Sequence, residues 1–177
     1  TGYRYITNIQ LEAKDHPTPF VNGIRSTATV YDYSNNGNHG TIALATTPAW
    51  TANGVDGGAY YFDGVPTKYI RSNSVPLTPT SWSISLWVMK KAHTVESYPI
   101  FLSFGLPYIA CNGSGSPFRL SYSSPSQVNT SGTTVPVLDQ WYHVVATSDG
   151  TGTKLYVNGN LEGSNSTLGT NTGGPFD

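Results

Sequence analysis

The sequence predicts an antiparallel all-β sandwich of two sheets, and three observations carry that prediction. The segment Trp82-Ser83-Ile84-Ser85-Leu86-Trp87-Val88-Met89 alternates with period two, so that Trp82, Ile84, Leu86 and Val88 share one face while Ser83, Ser85 and Trp87 share the other. Turn clusters such as Gly113-Ser114-Gly115-Ser116-Pro117 recur about every ten residues, the spacing of a sandwich or barrel. Only 11% of the residues are charged, and Ser, Thr, Asn, Gly and Tyr are abundant. That composition suits short strands joined by turns and argues against long helices. At 177 residues the chain holds one domain with a real core, and a second complete domain would be cramped.

The elements follow in chain order. Tyr3 to Leu11 reads as a strand. The stretch Lys14-Asp15-His16-Pro17-Thr18-Pro19-Phe20-Val21-Asn22-Gly23 has two prolines and turn residues, the composition of a linker, which places a boundary near Phe20 to Arg25. Weaker strands are expected at Ala59 to Phe62, Tyr69 to Ser72, Ile100 to Phe104, Tyr108 to Cys111, Phe118 to Tyr122 and Val135 to Leu138. Trp82 to Met89 is a strong strand whose first face is core and whose second carries a tryptophan among serines, a half-polar face open to solvent or ligand. Gln140 to Thr147 is aromatic and β-branched and reads as a long interior strand ending at the turn Asp149-Gly150-Thr151-Gly152. Lys154 to Gly163 is a hairpin, because Asn158-Gly159 tolerates the positive φ angles of a type I′ turn. Leu155 and Val157 should face one way, Lys154 and Tyr156 the other. Three consecutive strands from Gln140 to Gly163 therefore form a meander.

Charge and cysteine content exclude several functions. Nine Lys and Arg stand against ten Asp and Glu, the net charge is −1, and the basic residues are scattered, so nothing holds a nucleic-acid backbone. The single cysteine, Cys111, permits no intrachain disulfide and no paired-Cys zinc motif, and in Tyr108-Ile109-Ala110-Cys111 it reads as a small buried hydrophobe. No apolar run approaches the roughly 20 residues that span a bilayer, so membrane insertion is not expected. The chain starts at Thr1 with no basic-then-apolar leader and reads as an excerpt of a longer protein.

Four segments in order carry a family resemblance: Asp32-Tyr33-Ser34-Asn35-Asn36-Gly37-Asn38-His39-Gly40-Thr41; Ala59-Tyr60-Tyr61-Phe62-Asp63-Gly64 with Tyr69-Ile70; Ser83-Ile84-Ser85-Leu86-Trp87-Val88; and Trp141-Tyr142-His143-Val144-Val145-Ala146 with Lys154-Leu155-Tyr156-Val157-Asn158-Gly159. Together they resemble the laminin G-like, concanavalin A-like jelly-roll superfamily in its bacterial and phage branch, across residues 26–177. The resemblance implies a two-sheet jelly roll with one concave face. It also implies a closing strand of the type Gly-x-Ile-Asp-Glu-Val-x-Ile-Tyr that this domain lacks, so that either the parent continues past Asp177 or another strand substitutes. Tyr3 to Glu12 with Thr18-Pro19-Phe20 resembles the last strand and exit of a galactose-binding-like sandwich, as found before such domains in phage structural proteins. Residues 1–25 are accordingly expected to be the terminal strand and linker of a preceding β-sandwich domain. The strand then either lacks its native sheet or is borrowed by the jelly roll.

Many proteins of this fold are glycoside hydrolases, so the carboxylates come first. Retaining hydrolysis needs two carboxyls about 5 Å apart, which on a strand means an acidic pair on one face. No predicted strand has one: Asp139 and Asp149 sit at strand ends, Glu96 in a loop and Glu162 alone. His16, His39, His93 and His143 show no metal spacing, and no serine stands in a nucleophile elbow, so no enzymatic activity is expected. Calcium takes six to eight oxygens, and the Asp32 to Asn38 turn is dense in them. Related domains often carry a structural calcium, which makes Asp32, Asn38 and Asp63 the candidate ligands, against the plain reading of such loops as Asx turn chemistry. Aromatic residues are the usual platform for sugar rings, whose C–H face packs on a π-face. The candidates are Trp87 on the half-polar face, His143 if it points the same way, and Tyr98 and Tyr108 near loops, each weighed against core packing. Trp141, within an apolar run, is assigned to the core. Three sequons, at Asn112, Asn129 and Asn165, are about what chance gives in a chain rich in Asn, Ser and Thr.

The expected function is a non-catalytic carbohydrate-binding or adhesion module of a larger secreted, cell-surface or phage virion protein. Its expected partners are a glycan or cell-surface polysaccharide and neighbouring β-sandwich domains of the same polypeptide. The alternative is a structural module of a virion appendage or surface filament whose partners are proteins. Low charge and unpaired strand edges leave a homo-oligomer open.

Overall fold

The computed structural model describes residues 29–30, 32, 34, 36–42, 50–51, 53–55, 58–63, 69–72, 81–91, 100–103, 107–111, 115–121 and 128–167, with 4–12, 49 and 122 described by backbone alone. The expected boundary near Phe20 to Arg25 and the candidate Tyr98 lie outside the described residues. Fourteen strands and no helix are found among them: β1 (Arg4–Glu12), β2 (Thr29–Val30), β3 (Gly40–Ile42), β4 (Ala49–Thr51), β5 (Ala59–Phe62), β6 (Ile70–Ser72), β7 (Ser81–Lys90), β8 (Ile100–Ser103), β9 (Tyr108–Cys111), β10 (Phe118–Tyr122), β11 (Val128–Ser131), β12 (Trp141–Asp149), β13 (Thr153–Val157) and β14 (Asn160–Asn165). They form a seven-stranded sheet in the order β14-β13-β12-β7-β1-β5-β4, a four-stranded sheet β11-β10-β9-β8 and a three-stranded sheet β2-β3-β6. Every pairing is antiparallel.

The seven- and four-stranded sheets face each other across one apolar core, the all-β sandwich that the sequence predicts. Period-two alternation sends Ile84, Leu86 and Val88 of β7, Tyr142, Val144 and Ala146 of β12, and Leu155 and Val157 of β13 inward. They meet Phe101, Ile109, Cys111, Phe118 and Leu120 of the opposite sheet. The Phe118 ring lies 5.8 Å from that of Phe101 and 5.4 Å from that of Tyr142, tilted against both. Cys111 is fully buried in this cluster, as expected of a small hydrophobe.

The β12-β13-β14 meander has the expected form. Asn158 and Gly159 have φ of 50° and 83°, the pair of left-handed conformations that a type I′ turn requires. A register shift between Leu155 and Tyr156 makes Glu162 the extra residue of a bulge in β14. Bulges re-aim side chains, and here Glu162 reaches the chain that follows β11. Its carboxylate accepts the N–H of Thr133 at 3.0 Å, the N–H of Thr134 at 2.9 Å and the Thr134 hydroxyl. Gly163 makes this approach possible, because a Cβ there would lie 2.3 Å from the Ser131 carbonyl oxygen. A buried hydroxyl pair, Thr130 with Thr153 at 2.5 Å, joins β11 to β13 nearby.

One expectation needs correcting, and four strands were missed. Val135 to Leu138 is not a strand: Pro136 has no N–H for a ladder, and the Val137 N–H goes instead to the Tyr142 hydroxyl at 3.1 Å. The strand of that region is β11, whose polar run Val128-Asn129-Thr130-Ser131 hides the usual pattern. It is held by cross-strand polar pairs, among them the Ser121 hydroxyl donating to Asn129 Oδ1 at 2.6 Å. Strands β2, β3 and β4, two or three residues each, were also too short to stand out in the sequence.

The N-terminal strand lies inside the larger sheet. β1 pairs with β7 from Arg4↔Lys90 to Glu12↔Ser83, with an irregularity between Thr7 and Gln10, and with β5 through Arg4↔Phe62, Tyr5↔Tyr61 and Ile6↔Tyr60. β1 is thus paired on both sides, by β7 and by β5.

Candidate functional site

The centre of the four-stranded sheet is buried on both faces. Ile109, Cys111, Phe118 and Leu120 point into the core, and Ala110, Arg119 and Ser121 on the opposite side are also buried. The seven-stranded sheet differs. On β12 and β13 the residues that alternate away from the core include Trp141, His143, Val145, Thr147 and Tyr156, which are half-buried, and Asp149 and Lys154, which are exposed. Ser85 and Trp87 of β7 join them. This is the accessible broad face among the described residues, and it is aromatic.

Trp87 and His143 are direct cross-strand neighbours in the β7–β12 ladder. Directly opposed side chains on one face stand within contact distance, and here the indole and imidazole stack with centroids 5.0 Å apart and planes 25° from parallel. The imidazole is fixed at a second point: its Nε2 lies 2.8 Å from the Ser85 hydroxyl, two residues along β7. Burial pushes the His143 pKa below the ordinary imidazole value. At neutral pH the ring is therefore uncharged, and the stack presents an apolar π-surface edged by one hydroxyl. In register beyond β7 stand Thr7, opposite Trp87, and Gln10, opposite Ser85.

The backbone of His143 is clamped as well. Asn158 returns its N–H to the His143 carbonyl at 2.8 Å, while the His143 N–H is accepted by the Asn158 side-chain oxygen at 2.9 Å. The Asn158 side-chain oxygen thus accepts the N–H that a facing backbone carbonyl accepts in a regular ladder.

The structure thus brings together two of the four aromatic candidates. Tyr108 is half-buried in β9 of the other sheet and does not share their face. Trp141, assigned to the core from sequence, is half-buried on the Trp87–His143 face, because Tyr142, Val144 and Ala146 occupy the inward positions of β12. Counting by two from His143 was the signal for Trp141. Ser85 and Asn158 were not singled out, since each acts through a partner on another strand.

Of the calcium candidates, Asp32 and Asn38 lie between β2 and β3 of the three-stranded sheet, whereas Asp63 follows β5 of the seven-stranded sheet. Asp32 Oδ1 accepts the N–H of Ser34 at 2.7 Å and Oδ2 that of Asn38 at 2.8 Å, and the Asn38 carbonyl accepts the Ser72 hydroxyl at 3.0 Å. Burial raises the Asp32 pKa, but the hydrogen bonds from Ser34 and Asn38 outweigh it and leave the carboxyl below its usual range. Both carboxylate oxygens accept N–H groups of the loop itself, the pattern of an Asx-type turn. Among the described residues no three His, Cys, Asp or Glu side chains are grouped as metal ligands.

Other described acids also hold turns and edges. Asp149 accepts from Thr151 and Gly152, which brings its pKa down to about 2. Asp139, at φ 62°, pairs with Lys91. No helix among the described residues is long and apolar enough to cross a membrane.

No curated protein and no solved structure matches this chain. Residues 62–176, more than half of it, match the family model described as the concanavalin A-like lectin/glucanases superfamily. That span contains both the core meander and the Trp87–His143 face, and the chain belongs to the concanavalin A-like lectin/glucanases superfamily.

Proposed function

We propose that this domain is a non-catalytic carbohydrate-binding module that receives a sugar ring on the Trp87–His143 face of its seven-stranded sheet. The stacked, doubly anchored pair is the observation that carries the reading. A pyranose packs its C–H face against such a surface, and a rigid platform loses little entropy on binding.

The superfamily contains glucanases as well as lectins, and the chemistry of the described residues favours the lectin side. Asp32, Asp149 and Glu162 are engaged by neighbouring N–H or hydroxyl groups, and Asp139 by Lys91. Glycoside hydrolysis asks for two carboxyls facing each other across the scissile bond. Ser85 and His143 are within hydrogen-bond distance, the spacing of a nucleophile and its base. Ser85, however, lies in mid-strand between β12 and β1, so its backbone belongs to a ladder and offers no oxyanion hole.

A glycan array probed with the chain tests the reading, with Trp87→Ala as control. Binding to a glycan class that the substitution abolishes is expected. Absence of binding to every class, or binding that Trp87→Ala leaves intact, overturns it.

A further inference from the structure

We infer that Asn158 is a ligand-contacting residue of this platform, its side-chain amide nitrogen donating a hydrogen bond to a hydroxyl or ring oxygen of a neutral hexose stacked on Trp87 and His143. The inference rests on the platform reading above and adds the group that orients the sugar.

The orientation of the Asn158 amide is fixed by chemistry. The His143 N–H can only donate, so the amide atom facing it at 2.9 Å must be the oxygen. The NH2 group is consequently turned away from the strand. Asn158 is exposed, and its amide nitrogen has no hydrogen-bond partner among the described residues. It is thus a pair of N–H donors on a side chain clamped to the backbone of His143, the residue whose ring is stacked.

The residue type carries the argument further. A type I′ turn accepts Asn, Asp or Gly at its first central position. Asp would supply the same acceptor to His143, and only Asn adds donors on the outer side. On the stack itself the Ser85 hydroxyl is tied to His143 Nε2, and the half-buried imidazole is stacked on Trp87. Stacking alone leaves a sugar free to rotate on the ring, and recognition needs a few placed polar groups at the rim. The hairpin tip places one there.

The test is a titration of the 15N-labelled chain with maltohexaose, cellohexaose, laminarihexaose and mannohexaose, followed through the Trp87 indole, the His143 ring and the Asn158 side-chain NH2 signals. The Asn158 pair is expected to shift together with the two rings. Asn158→Asp keeps the acceptor for His143 and removes the donors, so it should weaken binding roughly three- to tenfold, the value of one net hydrogen bond, with the melting temperature held. Asn158→Gly keeps the turn without adding charge and should weaken binding at least as much. Shifts at Trp87 and His143 with the Asn158 pair unmoved, or both variants binding like the parent, overturn this inference and leave the platform standing. No shift at any of the three groups with any of the four sugars overturns both.

Discussion

The Glu162 carboxylate, lifted out of β14 by a bulge, accepts both the N–H and the hydroxyl of Thr134 and so ties the edge of one sheet to the chain leaving the other. Its pKa is raised by burial but lowered more by the Thr134 and Thr133 hydrogen bonds, leaving it below the usual range. A carboxyl depressed in the fold stabilises it above its unfolded pKa, and that stability is lost as pH falls through the folded value. Glu162→Ala should therefore cost about 2 kcal/mol at neutral pH, since several donors lose their acceptor. Glu162→Gln should cost less and should flatten the acid limb of stability. Urea unfolding across the acid range checks both; parallel acid limbs in parent and Gln variant would count against the clamp.

Among the described residues Phe118 is the largest fully buried side chain, and it touches the rings of Phe101 in its own sheet and Tyr142 in the other. Phe118→Ala should destabilise by about 3–5 kcal/mol, the usual loss when a packed aromatic leaves a cavity. A melting curve measures it, and a loss below about 1 kcal/mol would mean the two sheets are not packed as described.

The hydrogen bonds around Asp32 make a prediction about metal. Because its two oxygens already hold the turn, Asp32→Ala should lower stability by about 1 kcal/mol through the freed N–H groups. Melting in excess calcium and in excess EDTA should coincide for the parent chain. A calcium-dependent rise that Asp32→Ala removes would restore the metal site.

His143 supplies a second pH dependence with the same direction. Its folded pKa lies below 6.5, so as pH falls through 6.5 the unfolded chain takes up a proton that the folded chain does not. Stability must fall there, and the decline from this group ends once pH passes below the folded value. The difference between the parent and His143→Gln in unfolding free energy, measured from neutral pH into the acid range, isolates this residue from the other histidines. A constant difference across that range would show that the imidazole is not desolvated by the stack.

Much of this architecture was legible from local pattern. Alternation in Trp82 to Met89 and the Asn158-Gly159 turn each report on neighbours a few residues away, and sequence encodes that directly. Where pairing is decided by polar groups the pattern fails. β11 has one apolar residue and is held by Asn129 and Thr130, while Val135 to Leu138 has three and is kept out of the sheet by Pro136.

The sequence by itself determined the all-β class, the meander, and the tryptophan on the half-polar face of β7. Tertiary structure alone decided that β1 lies between β7 and β5, that His143 falls opposite Trp87 while Tyr108 lies on another sheet, and that Trp141 turns outward with them. The physical reason is register. A strand's own alternation sorts its residues into two faces, but only its hydrogen-bonded neighbours fix which face is buried and which side chains of distant strands meet.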